Sequence, residues 1–435
     1  MKSIDEDSPE PTEVLVGRAG SAVARSALRM LGGGYGRRVV VVAGKGNNGA
    51  DGRAAAERLS RSGARMTVFD AAQAPPRLPE CHLVIDAAFG TGFGGDYQAP
   101  DPAGAPVLAV DIPSGVDGLT GQAEAGAVAA TATVTFAALK PGLILGSGPE
   151  RTGPVELVDI GLDVSRARAH LVQDEDVGAY LPPRPRESHK WRSAVLVVAG
   201  SPGMMGAPLL VARAALRAGA GYVKLAVPGA GLEQMSSGSE IVGAQLPADG
   251  WAAQALEEST PCKAVVVGPG LGREEGTLAE VRRLLAESPV PLVVDGDALA
   301  AVRGPLGVPA VLTPHAGEYQ RMTGSDVGPD RLDAARGLAS GFGAVALLKG
   351  STTVVADPAG EVLVSVAGDA RLATAGTGDV LSGVVAAFLA QGVDGGRAAA
   401  LAAHVHGSAA ALGPARGMVA GDIVELLPRW LSDHA

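Results

Sequence analysis

A-T-A-G-T-G-D-V-L-S-G-V-V-A-A-F-L-A-Q, from Ala373 to Gln391, is the stretch on which the reading of the chain turns. Gly376, Thr377 and Gly378 form a small-residue loop whose backbone can approach a ligand closely, and the apolar run after Asp379 predicts a helix starting there. A helix start offers unpaired amides and a positive dipole end, which together suit a transferring phosphate. Asp379 sits beside that anion hole. A carboxylate there repels phosphate unless it has its own task, and the obvious one is to take a proton from a hydroxyl that attacks the phosphate. The alternative is an N-cap aspartate in a glycine turn. The stretch alone leaves both open.

Upstream, one strand after another opens into a glycine-rich loop. Ala194 to Ala199 leads into G-S-P-G-M-M-G-A-P, Ala264 to Val267 into G-P-G-L-G, and Leu292 to Val294 into Asp295. Val311 and Leu312 end in T-P-H-A-G-E, and Ala344 to Leu348 end in Lys349-Gly350-Ser351-Thr352-Thr353. This is the layout of a parallel sheet with a nucleotide and a small substrate laid across its carboxyl edge. No Walker loop is present. Lys349 can neutralise phosphate, with the Thr352 or Thr353 hydroxyl helping, or can be a solvated lysine in a turn. His315 reads equally as a turn residue after Pro314. His404 and His406 have no zinc-binding spacing.

The first half has the same α/β rhythm. After a helix-like opening from Val14 to Leu31, Arg38 to Ala43 is a continuous β-branched run, the pattern of a strand buried on both faces. G-K-G-N-N-G-A-D-G follows. Gly44, Gly46 and Gly49 satisfy the dinucleotide fingerprint, and Asp70 ends the next strand where a ribose-binding acid stands. Asn47, Asn48 and Asp51 argue otherwise, because two amides and a negative charge suit a cation or a polar ring better than a bare pyrophosphate. The next strands deliver Asp86, ahead of Gly90-Thr91-Gly92-Phe93-Gly94-Gly95-Asp96, and Asp111, ahead of Pro113-Ser114-Gly115. Strand ends in an open sheet line one crevice, so Asn48, Asp86, Asp111 and Ser114 are expected to converge. An oxygen-only set suits potassium, magnesium or calcium. The alternative is that each aspartate caps a helix or holds a turn.

Composition bounds these readings. The 435 residues suffice for two or three domains, and 47% apolar content with 62 glycines and 3% aromatics suits α/β architecture. A net charge of -10 without a basic patch argues against nucleic acid. Cys81 and Cys262 form no disulfide framework, the N-terminus has no secretory pattern, and no apolar run is long enough for a membrane span, so a cytoplasmic protein is expected. From Gln173 to Glu187 the chain contains Pro182, Pro183 and Pro185, which deny a regular helix. The expected division is therefore a first domain over 1–172, a linker over 173–187 and a second domain over 188–435.

G-N-N-G-A-D-G, I-D-A-A-F-G-T-G-F-G-G-D and D-I-P-S-G-V-D resemble the NAD(P)H-hydrate epimerase domain, the YjeF N-terminal domain, over about Val14 to Asp163. The resemblance implies a Rossmann-like three-layer α/β/α fold. It also implies that Asn47, Asn48, Gly49, Ala50 and Asp51, Gly90 to Asp96, and Asp111 contact a hydrated nicotinamide nucleotide, and that Asn48, Asp86 and Ser114 hold potassium. Ala50 and Gly17 depart from the family, which has a glycine and an acidic residue there. The second half is similar to the ribokinase-like fold, and within it to the ADP-dependent NAD(P)H-hydrate dehydratases. S-H-K-W-R at Ser188, G-M-M-G-A at Gly203, G-P-G-L-G at Gly268, T-P-H-A-G-E at Thr313 and A-G-T-G-D at Ala375 carry that likeness. It implies that Ala207, Gly270, His315 and Asp379 meet the hydrate, and that Lys349, Gly350, Ser351, Thr352 and Thr353 with Gly376, Thr377 and Gly378 meet ADP or ATP, with magnesium.

Together the likenesses imply a bifunctional lyase and isomerase for metabolite repair, in which R and S hydrates of NADH or NADPH are interconverted and the S form is dehydrated. The family's habit of assembling implies a homo-oligomer. Asp379 is the expected base of the second site; Asp111, with Asp51 in reserve, is the expected acid/base of the first. The rival is an ATP-dependent kinase of a small hydroxylated substrate, with a non-catalytic first domain.

Overall fold

The computed structural model describes residues 9–92, 94–95, 97–235 and 240–435. The chain divides between Ala167 and Arg168 into two compact units. No helix among the described residues is long and apolar enough to cross a membrane.

The first unit holds strands β1 (Arg38–Ala43), β2 (Arg65–Asp70), β3 (Leu83–Ala87), β4 (Val107–Val110), β5 (Ala132–Phe136) and β6 (Val155–Val158). They form one parallel sheet in the order β2-β1-β3-β4-β5-β6. The order reverses between β1 and β3, which makes the crevice at their carboxyl ends the natural place for a ligand. The β-branched run of β1 is buried because each of its faces has a partner. Val39, Val41 and Ala43 pack with the helices Thr12–Leu31 and Asn47–Arg61. Val40 and Val42 face the other way, toward Leu78, Val84 and Val128, with Phe69, Phe89 and Tyr97 beside them. That second covering comes from the 3-10 turn Ala71–Gln73, neighbouring strand residues and loops.

The second unit is built on ten strands. They are β7 (Ala169–Leu171), β8 (Ala194–Val198), β9 (Tyr222–Pro228), β10 (Val242–Leu246), β11 (Ala264–Val267), β12 (Leu292–Val294), β13 (Ala310–Leu312), β14 (Val345–Leu348), β15 (Thr353–Ala356) and β16 (Val362–Ser365). Their order is β10-β9-β8-β11-β12-β13-β14-β15-β16-β7, with only the β14-β15 and β15-β16 pairings antiparallel. Helices cover both faces. Val195 and Val197 of β8 join one core with the helices Gly206–Arg217, Thr377–Ala390 and Gly395–Ala411, while Leu196 and Val198 join another with Ala252–Ser259 and Glu275–Glu287. The helix Thr377–Ala390 is apolar all round because it is enclosed all round. Gly383 lets it approach its neighbour, since a Cβ there would lie 2.3 Å from the Val211 carbonyl oxygen.

The expected boundary at 172/173 and the expected linker need correction. Ala169, His170 and Leu171 pair with Val362, Leu363 and Val364, so they complete the second sheet. Asp174–Tyr180 is a helix with a capping box between Gln173 and Asp176. It is fastened by Asp174, whose Oδ1 lies 2.7 Å from His404 Nε2. Beyond that helix the chain is irregular over 181–189, where the prolines stand.

Candidate functional site

In the first unit, a cavity of about 1250 Å³ opens over the carboxyl ends of β1, β3 and β4. It is lined by Asn47, Asn48, Asp51, Gly90, Thr91, Gly92, Gly94 and Asp111. Gly49, Ala50 and Gly95 do not line it. Phe93 and Asp96 lie outside the described residues. The helix begins at Asn47, so Asn48 and Asp51 belong to its first turns and the loop is only Gly44 to Gly46. Gly44 and Gly49 serve packing rather than ligand approach. A Cβ on Gly44 would lie 1.9 Å from the Ala88 carbonyl oxygen, and one on Gly49 would lie 1.9 Å from that of Gly44. Asp70 lines the cavity and accepts from Arg53 Nη2 at 2.6 Å. Pro11, Thr12, Leu15 and Val16, at the start of the N-terminal helix, reach the same space.

Asp86 and Ser114 do not line this cavity: Asp86 is buried against a separate one of about 550 Å³, beside Val84, Tyr97 and Val128, and accepts from the Ser114 amide at 2.8 Å and the Ser114 hydroxyl at 2.7 Å. Burial pushes its carboxyl up to about 6, against the hydrogen bonds from Ser114 and Ala88. Asn48 donates through Nδ2 to the Phe89 carbonyl at 2.9 Å, and that carbonyl also accepts from the Ser114 hydroxyl at 3.3 Å. The Asn48 Oδ1 atom is buried with no hydrogen-bond partner. An orphaned amide oxygen and a carboxylate that burial makes reluctant to ionise, linked through Ser114 and the Phe89 carbonyl, are a donor set that a hard cation would relieve.

Asp111 follows β4 with φ 69°, a left-handed conformation uncommon outside glycine, and its backbone N–H donates to the Val134 carbonyl at 2.7 Å. Sequence reading missed its partner. Lys140 is 2% exposed and places Nζ 2.5 Å from Asp111 Oδ1. The same ammonium donates to Thr135 Oγ1 at 2.9 Å and to the Phe136 carbonyl at 2.8 Å, while Thr135 donates to Asp111 at 3.1 Å. The available signal was a lone lysine in the apolar run A-A-L-K-P-G, since lysine is rarely buried without a charge partner.

In the second unit, Gly376 is the left-handed N-cap of the helix Thr377–Ala390, and Asp379 stands in its first turn. Burial pushes the Asp379 carboxyl up to about 6; the negative charge of Asp295 adds to the rise, and Lys349 opposes it. Asp295, at the end of β12, is 3% exposed, and sequence reading found no partner for it. Its Oδ1 lies 2.7 Å from Lys349 Nζ, and its Oδ2 accepts from the Ser382 hydroxyl at 2.7 Å. Burial acts to raise Asp295, but the Lys349 charge and hydrogen bonds from Lys349, Ser382 and Thr313 hold it below the usual carboxylate range. Lys349 Nζ lies 3.4 Å from where a Cβ on Gly378 would stand, so the ammonium rests against the first helical turn.

The other expected residues divide. A Cβ on Gly270 would lie 3.8 Å from Ala207 Cβ, which brings the G-P-G-L-G loop to the start of the helix Gly206–Arg217. Gly350 and Ser351 are exposed in the β14-β15 turn, Thr352 is buried there, and Thr353 already belongs to β15 opposite Ser365. Thr377 turns its hydroxyl inward, to the Leu372 and Thr374 carbonyls at 2.8 and 3.0 Å. His315 caps the helix Ala316–Thr323, accepting from Gly317 at 3.0 Å, with Glu318 completing a capping box. His406 is buried behind the loop; burial and then the Lys349 charge push its imidazole down to about 4, against a hydrogen bond with the Thr377 backbone.

Comparison with known proteins follows the same division. A family model described as NAD(P)H-hydrate dehydratase matches residues 195–429, and one described as YjeF-related protein N-terminus matches residues 12–81 and 69–142. The bifunctional NAD(P)H-hydrate repair enzyme of Salinibacter ruber is 37% identical, over 91% of this chain and 88% of its own. That of Escherichia coli is 32% identical, over 90% of this chain and 85% of its own. Among solved structures, the ADP/ATP-dependent NAD(P)H-hydrate dehydratase of Bacillus subtilis, co-crystallised with ATP and Mg2+, is 32% identical. It superposes with a TM-score of 0.56, covering 61% of this chain and 99% of that one.

Proposed function

The chain belongs to the family of bifunctional NAD(P)H-hydrate repair enzymes, and from that premise we propose which residues carry each activity. The first unit interconverts the R and S hydrates of NADH and NADPH at the cavity over β1, β3 and β4. The second dehydrates the S form, using ADP or ATP, at the start of the helix Thr377–Ala390. The observation that carries the second assignment is the Asp379 carboxylate at a helix N-terminus with Lys349 beside the same turn.

Hydroxide is too poor a leaving group to depart unaided. In the proposed reaction Asp379 takes the proton of the hydrate's hydroxyl as that oxygen attacks the terminal phosphorus of the nucleotide, and the bond from phosphorus to the nucleotide breaks. The amides of Gly376 to Gly378 and the Lys349 ammonium stabilise the charge that develops. Phosphate then leaves the ring carbon as the ring nitrogen lone pair moves in, and loss of a proton from the neighbouring carbon restores the double bond. Ala207, Gly270 and His315 border the hydrate, while Lys349 to Thr353 border the nucleotide, on which magnesium would arrive. In the first unit Asp111, oriented by Lys140, is the proposed acid/base, with Asp51 in reserve. Asn48, Asp86 and Ser114 would hold potassium, which would supply positive charge near the Asn48 end of that cavity.

A cytoplasmic location belongs to the same proposal and suits the two free cysteines. So does assembly of several copies, which sedimentation of the purified protein tests. The deciding experiment mixes purified protein with R and S hydrate and with ADP or ATP. Full return of the absorbance of reduced nicotinamide is expected, at the expense of the nucleotide. A phosphorylated organic product that accumulates would support a kinase instead.

A further inference from the structure

Asp295 is a buried carboxylate with a lysine and hydroxyl donors, yet it lies outside the set of residues expected to touch a ligand. Buried at the end of β12, it holds Lys349 Nζ at 2.7 Å on one oxygen and the Ser382 hydroxyl at 2.7 Å on the other. Ser382 also reaches the Gly378 carbonyl at 3.1 Å, one residue before Asp379. The chain of contacts therefore runs from a strand end, through a lysine and a serine, into the first helical turn.

We propose that Asp295 is a positioning residue of the dehydration site, which pins the Lys349 ammonium against the first turn of the helix Thr377–Ala390 and thereby sets how readily Asp379 takes a proton. The inference rests on the role proposed for Asp379. Two carboxylates close enough to interact cannot both be fully charged at low cost, and a cation between them decides which gives way. Asp295 has the lysine at 2.7 Å and two hydroxyls, so it stays ionised; Asp379, half-buried and without those donors, carries the higher proton affinity. A base whose proton affinity lies near the working pH takes a proton most effectively.

Other charged groups on the elements packed against this helix have surroundings of their own; His404 lies 2.7 Å from Asp174 and Arg397 donates to Asp394 at 2.9 Å. His406, on the helix Gly395–Ala411, stands beside Thr377 and Lys349 and is held neutral by burial. Arg213 and Arg217 of the helix Gly206–Arg217 bind Glu425 at 2.8 and 2.9 Å on the helix Ala420–His434. Asp422 accepts from the Val419 amide at 2.9 Å. Lys190, in the turn Lys190–Ser193 packed on the same helix, lies over the rings of Trp191 and Tyr222.

The test is an infrared titration of the Asp379 carboxyl, isolated as the difference between each protein and its Asp379→Asn counterpart. Asp295→Asn keeps the shape and removes the charge, so the Asp379 midpoint is expected to fall by about one pH unit or more. An unmoved midpoint overturns the proposal. Should Asp295→Asn not fold, Lys349→Gln gives the opposite sign: the midpoint must rise, and no movement again overturns the proposal. The acid limb of kcat for hydrate dehydration, measured alongside, should follow the carboxyl midpoint in Asp295→Asn. If the wild type does not dehydrate the hydrate, the functional reading fails, while the titration still decides the coupling of the two carboxylates.

Discussion

Each unit sets an aspartate and a lysine at the carboxyl edge of a parallel sheet, but the two lysines are placed differently. Lys140, with 3% of its side chain exposed, lies directly on Asp111 and has further acceptors in Thr135 and Phe136. Lys349, 19% exposed, lies on a second carboxylate, Asp295, and only beside Asp379. A buried lysine with three acceptors fixes one carboxylate in one orientation. A lysine at the rim, bound to a different acid, leaves its neighbour's proton affinity high and keeps part of its own surface toward solvent. Identical residue types thus give one carboxylate that is held in place by its own lysine and one that its lysine leaves free to take up a proton.

The largest expected effect comes from Asp379→Asn. Dehydration should fall about 1000-fold, since the amide keeps the shape and cannot accept the proton. The same change should stabilise the second unit at pH 7. The Asp379 carboxyl is pushed up to about 6 in the folded state, so its contribution to stability is fully present below the unfolded pKa of about 4 and is lost as pH rises through about 6. The charged form therefore costs up to about 3 kcal/mol at neutral pH. A thermal melt that shows no rise in Tm would remove the contrast drawn between the two aspartates.

Lys140→Met comes next. Freed from its lysine, Asp111 should lose its orientation, and epimerisation should fall about 100-fold while dehydration of S hydrate keeps its rate. Progress curves with a mixed R and S sample become biphasic, the R fraction draining only as fast as uncatalysed epimerisation allows. Asp111→Ala should give the same curve. A single phase matching wild type in both would show that this pair does not carry the proton.

A tenfold effect per pH unit is expected for kcat of dehydration below about pH 6, as Asp379 becomes protonated. A flat profile down to pH 5 would place the base elsewhere. The smallest effect concerns the cation. Replacing potassium by tetramethylammonium at equal ionic strength should lower the Tm of the first unit by a few degrees, and Asp86→Asn should abolish the difference. Equal Tm values in wild type under both salts would leave Asp86 and Asn48 with a turn-holding role only.

Strand ends were legible from the sequence because a β-branched run that stops at glycine or aspartate has one economical reading. Arg38–Ala43 and Ala264–Val267 form strands with those bounds, and Asp111 and Lys349 follow directly on β4 and β14. Of the set expected to converge, Asn48 and Asp111 reach one cavity at the order reversal of β1 and β3, whereas Asp86, which bonds Ser114, lines a different one. Lys140 and Asp295 were not legible as partners. Their meaning lies in contacts across sequence, 29 and 54 residues for Asp111–Lys140 and Asp295–Lys349, which no local pattern encodes. The helix Asp174–Tyr180 was hidden for a related reason. Seven residues make a marginal helix alone, and this one draws support from His404, at a distance of 230 residues in sequence.

The strand Ala169–Leu171 has a consequence for any attempt to study the second unit by itself. A chain begun at Ser188 would lack the partner of β16, whose Val362 amide bonds to the Arg168 carbonyl and whose Val364 carbonyl accepts from the Val172 amide. The row of groups on Val362, Leu363 and Val364 would be left open, apolar and extended, ready to accept a strand from another molecule. Begun at Arg168, the same unit ends its sheet on three residues, Ala169, His170 and Leu171, too short an edge to template a fibril. The five residues before the expected boundary are thus an insulator against self-association, and solubility is the property in which their removal would first be noticed.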